Sequence, residues 1–102
     1  MKHIVLICAA GMSTSMLVQR MKKSAKEKVV EAEILAMPES KFESYDAETD
    51  VLLLGPQISY MLDELKEKYE ALGIKVAAIN MMDYGMMNGE KVLTEALELL
   101  ET

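Results

Sequence analysis

One thiol stands where this sequence could do covalent chemistry. Cys8 closes the apolar run His3-Ile4-Val5-Leu6-Ile7-Cys8, and Ala9-Ala10-Gly11-Met12-Ser13-Thr14-Ser15 follows it directly. Gly11 permits tight or left-handed backbone geometry. Ser13, Thr14 and Ser15 are helix N-cap residue types and hydroxyl donors. Successive amides in such a turn can point into one concavity, and the N-terminus of a following helix adds positive potential. The result is an anion site built around a thiol. The same field favours the thiolate and makes it a competent nucleophile. The implied chemistry is attack by sulfur on a phosphoryl group whose oxygens are held by backbone amides. A lone cysteine ending a buried strand can also be a small core hydrophobe. That alternative has no need of a glycine and three consecutive hydroxyl residues immediately after the thiol.

The elements that must position this loop are legible as alternating apolar and amphipathic segments. His3 to Cys8 is a β-branched and aliphatic run, expected of a strand covered on both faces. A helix is predicted from the loop to about Lys28, with Leu17, Met21 and Ala25 on one face. Val29 to Met37 alternates and reads as a second strand ended by Pro38, and Glu39 to Tyr45 as a short helix or turn. Asp50 to Leu54 is a third, buried strand, stopped by Gly55-Pro56. Ile58, Met61, Leu62, Leu65, Tyr69 and Leu72 mark the apolar face of the next helix, with Gly73 as its C-terminal cap. Ile74 to Asn80 is a fourth strand. After the stretch from Met81 to Gly89, Val92, Leu93, Ala96, Leu97 and Leu100 form the buried face of a last helix. The order β-α-β-α-β-α-β-α predicts an α/β fold, with a four-stranded parallel sheet flanked by helices on both faces. Strand order 2-1-3-4, the flavodoxin-like winding, puts the first strand inside the sheet and its ligands beyond the strands' carboxyl ends.

Composition bounds the function. The 102 residues, with 51% apolar and 27% charged, describe one globular domain spanning 1–102. The net charge of −6 argues against a general nucleic-acid binder. One cysteine cannot form an internal disulfide, and a free thiol suits a reducing cytoplasm. With one histidine as well, no Cys/His metal site is expected, and no cofactor beyond a transient phosphoryl group on Cys8. Lys2 followed by Ile4 to Ala10 has the look of a short secretion signal, but the run is better explained as a buried strand and is far too short to span a bilayer. No opposed pair of acids suggests glycosidase chemistry.

The residues Ile7-Cys8-Ala9-Ala10-Gly11-Met12-Ser13-Thr14-Ser15 resemble the phosphocysteine loop of the IIB components of the bacterial sugar phosphotransferase system, lactose/cellobiose (chitobiose) family. Leu53-Leu54-Gly55-Pro56-Gln57-Ile58 is similar to that family's third-strand exit. Asp83-Tyr84-Gly85 and Gly89-Glu90-Lys91-Val92-Leu93 are similar to its last loop and helix. The resemblance runs along essentially the whole chain. It implies that Cys8 accepts a phosphoryl group from phosphohistidine of a IIA component. Cys8 would then donate it to a β-linked disaccharide of the cellobiose, chitobiose or lactose type, held by a membrane-embedded IIC permease. Residues Ala9 to Ser15 would cradle the phosphate. Low-molecular-weight tyrosine phosphatases and related arsenate reductases share the cysteine–loop–helix design, but their loop ends in an arginine where this chain has Thr14. Without that guanidinium the bidentate clamp on the phosphate oxygens is lost. Asp83 keeps a phosphatase-like hydrolase as an alternative, and a flavodoxin-like binding module with an inert Cys8 is the non-enzymatic one.

Gln57, Asp83 and Tyr84 sit at strand exits near the loop and are accessory candidates. Met12, Met16, Met81, Met82, Met86 and Met87 should fall at the same end of the sheet, some filling core and some forming an adaptable rim for successive partners. Arg20, Lys22, Lys23, Lys26 and Lys28 crowd the second half of the first helix, where they complement its dipole and offer a docking patch for an acidic partner or anionic lipid. His3, at the opposite end from Cys8, is expected to be solvated. With no apolar helix face left over, a monomer is expected.

Overall fold

The computed structural model describes residues 1–8, 12–45 and 47–101, with the side chains of all of these except residues 8 and 12–14. Four strands, β1 (Lys2–Cys8), β2 (Ala32–Pro38), β3 (Val51–Leu54) and β4 (Lys75–Ala78), form one sheet in the order β2-β1-β3-β4. Every pairing is parallel. The helices are α1 (Met12–Glu27), α2 (Glu39–Phe42), α3 (Leu62–Glu70), α4 (Met81–Gly85) and α5 (Gly89–Leu100), and a 3-10 turn, Pro56–Met61, leads into α3. The expected fold is therefore the observed one, with α4 added to the element order.

The apolar run of β1 alternates between two cores. Ile4 and Leu6 point to one face, where Leu17, Val18, Met21 and Ala25 of α1 and Val92, Leu93 and Ala96 of α5 cover the sheet. Val5 and Ile7 point to the other, beneath Phe42, Ile58, Leu65 and Tyr69. A strand buried on both faces must be apolar at every position, which is why this run lacks the polar alternation of a half-exposed strand. The register aligns Ile7 with Leu54 and Leu54 with Ala78, so the strand exits lie at one level. At the opposite end the Asp50 carboxylate accepts from the His3 backbone N–H at 2.8 Å. The His3 ring is part-buried rather than solvated, 3.8 Å from Glu33 Oε1 and 3.5 Å from Glu48 Oε2.

Two helix ends show the same device with different residues. At the end of α3, Ile74 N–H donates to Tyr69 C=O and Gly73 N–H to Glu70 C=O, with Gly73 at φ 89°. At the end of α1, Val30 N–H donates to Ala25 C=O and Val29 N–H to Lys26 C=O, with Val29 at φ 56°. This closure requires a left-handed residue and normally selects glycine. The second strand accordingly starts at Ala32 rather than Val29, because Val29 is spent on ending the helix. Leu72, expected on the buried face of α3, is instead exposed in the turn that follows it.

One outward amide of β4, that of Val76, has a partner within the chain. Lys75 N–H and Ile79 N–H donate to the carbonyls of Asp50, just before β3, and Leu54, its last residue, so the Val76 amide points away from β3. Its N–H donates to the Glu70 carboxylate at 3.4 Å.

Candidate functional site

Cys8 is the last residue of β1, paired by backbone register with Pro38, and α1 begins at Met12. The helix begins earlier than the sequence reading, which keeps Met12 to Ser15 in the loop. The Cys8 side chain, residues Ala9, Ala10 and Gly11, and the side chains of Met12, Ser13 and Thr14 lie outside the described residues. Ser15 lies in the first turns of α1 and is exposed. No acidic residue occupies the first turn of that 16-residue helix. Its N-terminal amides thus keep their positive potential, which favours an anion just beyond β1.

The neighbouring strand exit is tied to this one. Gly55 N–H donates to Ile7 C=O at 2.8 Å, which holds the start of the 3-10 turn against the residue preceding Cys8. Pro56 sets the backbone at the first position of that turn, and the buried Ile58 anchors it in the core. Gln57 lies between them and is exposed. The structure thus brings Gln57's segment to the exit of β1, as expected.

Asp83 and Tyr84 belong to α4, the helix that hydropathy periodicity missed. Its signal was present in the sequence. Asn80 caps the helix, its Oδ1 accepting from Met82 N–H at 2.8 Å and from Asp83 N–H at 3.4 Å. An asparagine followed three residues later by an acid is a helix-start pattern. Tyr84 is buried in the core cluster that includes Leu6, Leu17 and Val18, so its ring is a packing element under the site. Asp83 is buried as well, and its Oδ2 lies 3.8 Å from Lys91 Nζ with no hydrogen-bond donor among the described residues. This is a helix-to-helix ion pair. It is unlike the solvated acid that the phosphatase-like alternative would use.

The methionines divide in two. Met16, Met81, Met82 and Met86 are exposed, as expected of a rim. Met87 instead packs against the core with a positive φ of 55°. Asn88 accepts at its side chain from Lys91 N–H at 3.2 Å, starting α5. Gly89 brings α5 so close to α1 that a Cβ there would stand 2.6 Å from the backbone of Arg20 and Met21. Such an approach is available only to glycine. It fixes α1, and with it the helix end that faces Cys8.

A model of the family described as "PTS system, Lactose/Cellobiose specific IIB subunit" matches residues 3–95. The chain belongs to this family. It is 46% identical to the galactose-specific EIIB component of Lactococcus lactis subsp. cremoris (strain MG1363), a match covering 97% of this chain and 96% of that protein. It is 42% identical to the oligo-beta-mannoside-specific EIIB component of Bacillus subtilis (strain 168), over 98% of this chain and 97% of that protein. The solution structure of the cellobiose-specific phosphotransferase IIB component from Borrelia burgdorferi superposes with a TM-score of 0.79 at 45% identity, covering 98% of this chain and 92% of the other. The family assignment read from the cysteine loop and strand exits is thereby established, together with the sheet order. Among the described residues no helix is long and apolar enough to cross a membrane.

Proposed function

We propose that this phosphotransferase-system IIB subunit carries its phosphoryl group on Cys8. The observation that carries the reading is the position of Cys8 at the carboxyl end of β1, four residues before the start of an α-helix whose first turn holds no acid. In the first step the Cys8 thiolate attacks the phosphorus of a phosphohistidine on the IIA component. The P–N bond breaks, an S–P bond forms, and the departing imidazole takes up a proton. In the second step a sugar hydroxyl attacks the same phosphorus. The S–P bond breaks, the thiolate is restored, and the hydroxyl proton leaves to a base of the sugar-holding IIC component. Residues Ala9 to Ser15 supply the amides and hydroxyls that hold the phosphate oxygens. Thr14 in place of an arginine suits a relay, which must keep the thiophosphate from water until the next acceptor arrives. The chain needs no cofactor beyond that phosphoryl group, and it works at the cytoplasmic face of the permease.

The sugar belongs to the class named by the relatives. Their names divide among galactose, cellobiose and oligo-beta-mannoside at nearly equal identity. Selection among these is assigned to the permease rather than to this subunit. The deciding experiment is intact mass after incubation with phosphoenolpyruvate, the general phosphotransferase proteins and candidate IIA components, on wild type and Cys8→Ser. One phosphoryl group on wild type and none on the variant is expected. Equal phosphorylation of Cys8→Ser, or a Cys8 inert to alkylation at neutral pH, would overturn the assignment.

A further inference from the structure

Among the described residues the cations of α1 find no partner. Arg20, Lys22, Lys23 and Lys26 make no ion pair or hydrogen bond through their side chains among the described residues. The chain has 17 carboxylates to offer. Helix α1 carries these four cations against the single carboxylate of Glu27, a net charge of +3, which leaves −9 for the rest of a chain of net −6. At about 100° per residue, the four cations spread over an exposed arc of about 160°, from Lys22 to Arg20, with Met16, Gln19 and Glu27 inside it.

Apolar side chains flank this arc. One cleft is lined by Ser15, Met16, Gln19, Arg20 and Lys23. A second shares Arg20 and Lys23 and continues to Met86 and Met87, with Glu27 and Glu90 also in its lining. Glu90 lies 3.8 Å from Lys28, so its charge is already engaged. Met16 and Met86 are more than half exposed. The surface is thus cationic at its centre and thioether-flanked, on the second half of α1, away from the helix end that follows Cys8.

We propose that this face of α1 docks on an anionic lipid bilayer. Two arguments select that occupant. First, the cations lie on both sides of the helix crest, and a broad flat anionic surface can meet all four at once. An acidic protein segment in the cleft would engage only Arg20 and Lys23. Second, the repulsion expected from the other −9 charges is short-ranged. Screening reduces it within about 8 Å at physiological salt, whereas the molecule extends 33 × 25 × 22 Å. Basic residues near an anionic leaflet each strengthen binding, and the exposed methionines can enter the headgroup layer. Docking would hold the subunit at the membrane between transfers.

The test is co-sedimentation of the wild-type chain with vesicles of phosphatidylcholine alone and of phosphatidylcholine with about one third phosphatidylglycerol, at low and high salt. Binding to the anionic vesicles only, abolished by salt, is expected. Arg20→Gln/Lys23→Gln and Lys22→Gln/Lys26→Gln should each weaken it by about 30-fold. Lys41→Gln/Lys66→Gln, which changes net charge equally on the α2/α3 face, should stay within about twofold. Absence of wild-type binding, or equal loss in the Lys41/Lys66 variant, overturns the proposal. Loss in the Arg20/Lys23 variant but not in the Lys22/Lys26 variant also overturns it, in favour of an acidic ligand in the cleft. No phosphoryl group enters this assay, so its failure leaves the assignment of Cys8 untouched.

Discussion

Val29 offers a substitution that should stabilise the protein without touching the site. It occupies the left-handed position that ends α1, at φ 56°, and its side chain is 90% exposed. Replacing it by glycine therefore forfeits almost no buried surface. An L-residue in the left-handed region costs about 1–2 kcal/mol, and valine, branched at Cβ, tolerates it poorly. Glycine returns about 0.5–1 kcal/mol of this through the greater freedom of its unfolded chain. The net gain for Val29→Gly is about 0.5–1 kcal/mol, a rise in Tm of roughly 2–8 °C for a domain of this size. Gly73 provides the mirror experiment. It plays the same part at the end of α3, at φ 89°, and a Cβ there would meet nothing within 4 Å. The cost of Gly73→Val is thus purely conformational, of similar size and opposite sign. Urea denaturation followed by circular dichroism reads both. If Val29→Gly lowers the midpoint, or Gly73→Val leaves it unmoved, the account of these two helix ends is wrong.

Gly89→Ala should destabilise by about 1–3 kcal/mol, because its Cβ would press on the α1 backbone, which cannot yield as a flexible side chain can. Gly85→Ala, with nothing within 4 Å, is the neutral control in the same melts. Lys91→Met should cost about 1–2 kcal/mol by leaving the buried Asp83 carboxylate without its countercharge, discounted because Lys91 is largely exposed. Adding Asp83→Asn should recover most of that loss in a double-mutant cycle. Burial, then the neighbouring Glu43, holds the Glu39 carboxyl above its ordinary range. A pKa raised on folding means the folded state binds the proton more tightly. The stability this contributes is full at acid pH and is lost as pH rises through the folded value. Glu39→Gln should therefore match wild type most closely in acid and gain on it above the usual carboxylate range, in Tm measured across pH. Met82→Gln/Met86→Gln should slow phosphorylation by IIA at unchanged stability, since both side chains are exposed; an unaltered rate would remove the methionine rim from the docking account.

The sheet was legible because its signals are local and mutually consistent. Apolar runs of the length of a strand, broken at Gly55-Pro56 and Gly73, specify both the strands and their parallel order. The site's frame followed from Cys8 at the end of the first run. What escaped the reading depended on tertiary context. Val29 has the composition of a strand, yet the closure of α1 overrides its β preference. Leu72 keeps helical spacing but falls beyond the last turn of α3. Tyr84 and Asp83 looked like loop residues because the five-residue helix that buries them is too short to show a period. Gly89 merely closed the stretch that precedes the last helix, and only the packing of α5 on α1 reveals it as a point of near-contact between backbones.

The open sides of the sheet bear on how this protein keeps company. A parallel sheet of four strands has two outer margins, each a template on which a foreign strand could grow. On β4, one of the outward amides is already taken by Glu70, and Lys75 begins the strand. On β2, the last residue is Pro38, which has no amide to lend. A visiting chain at these margins meets a carboxylate, an ammonium and a pyrrolidine ring in place of an unbroken hydrogen-bonding ladder. Association by strand annealing, which is slow to undo and prone to runaway polymerisation, is thereby discouraged. Encounters are left to side chains, whose contacts form and dissolve at the pace that a shuttle between partners requires.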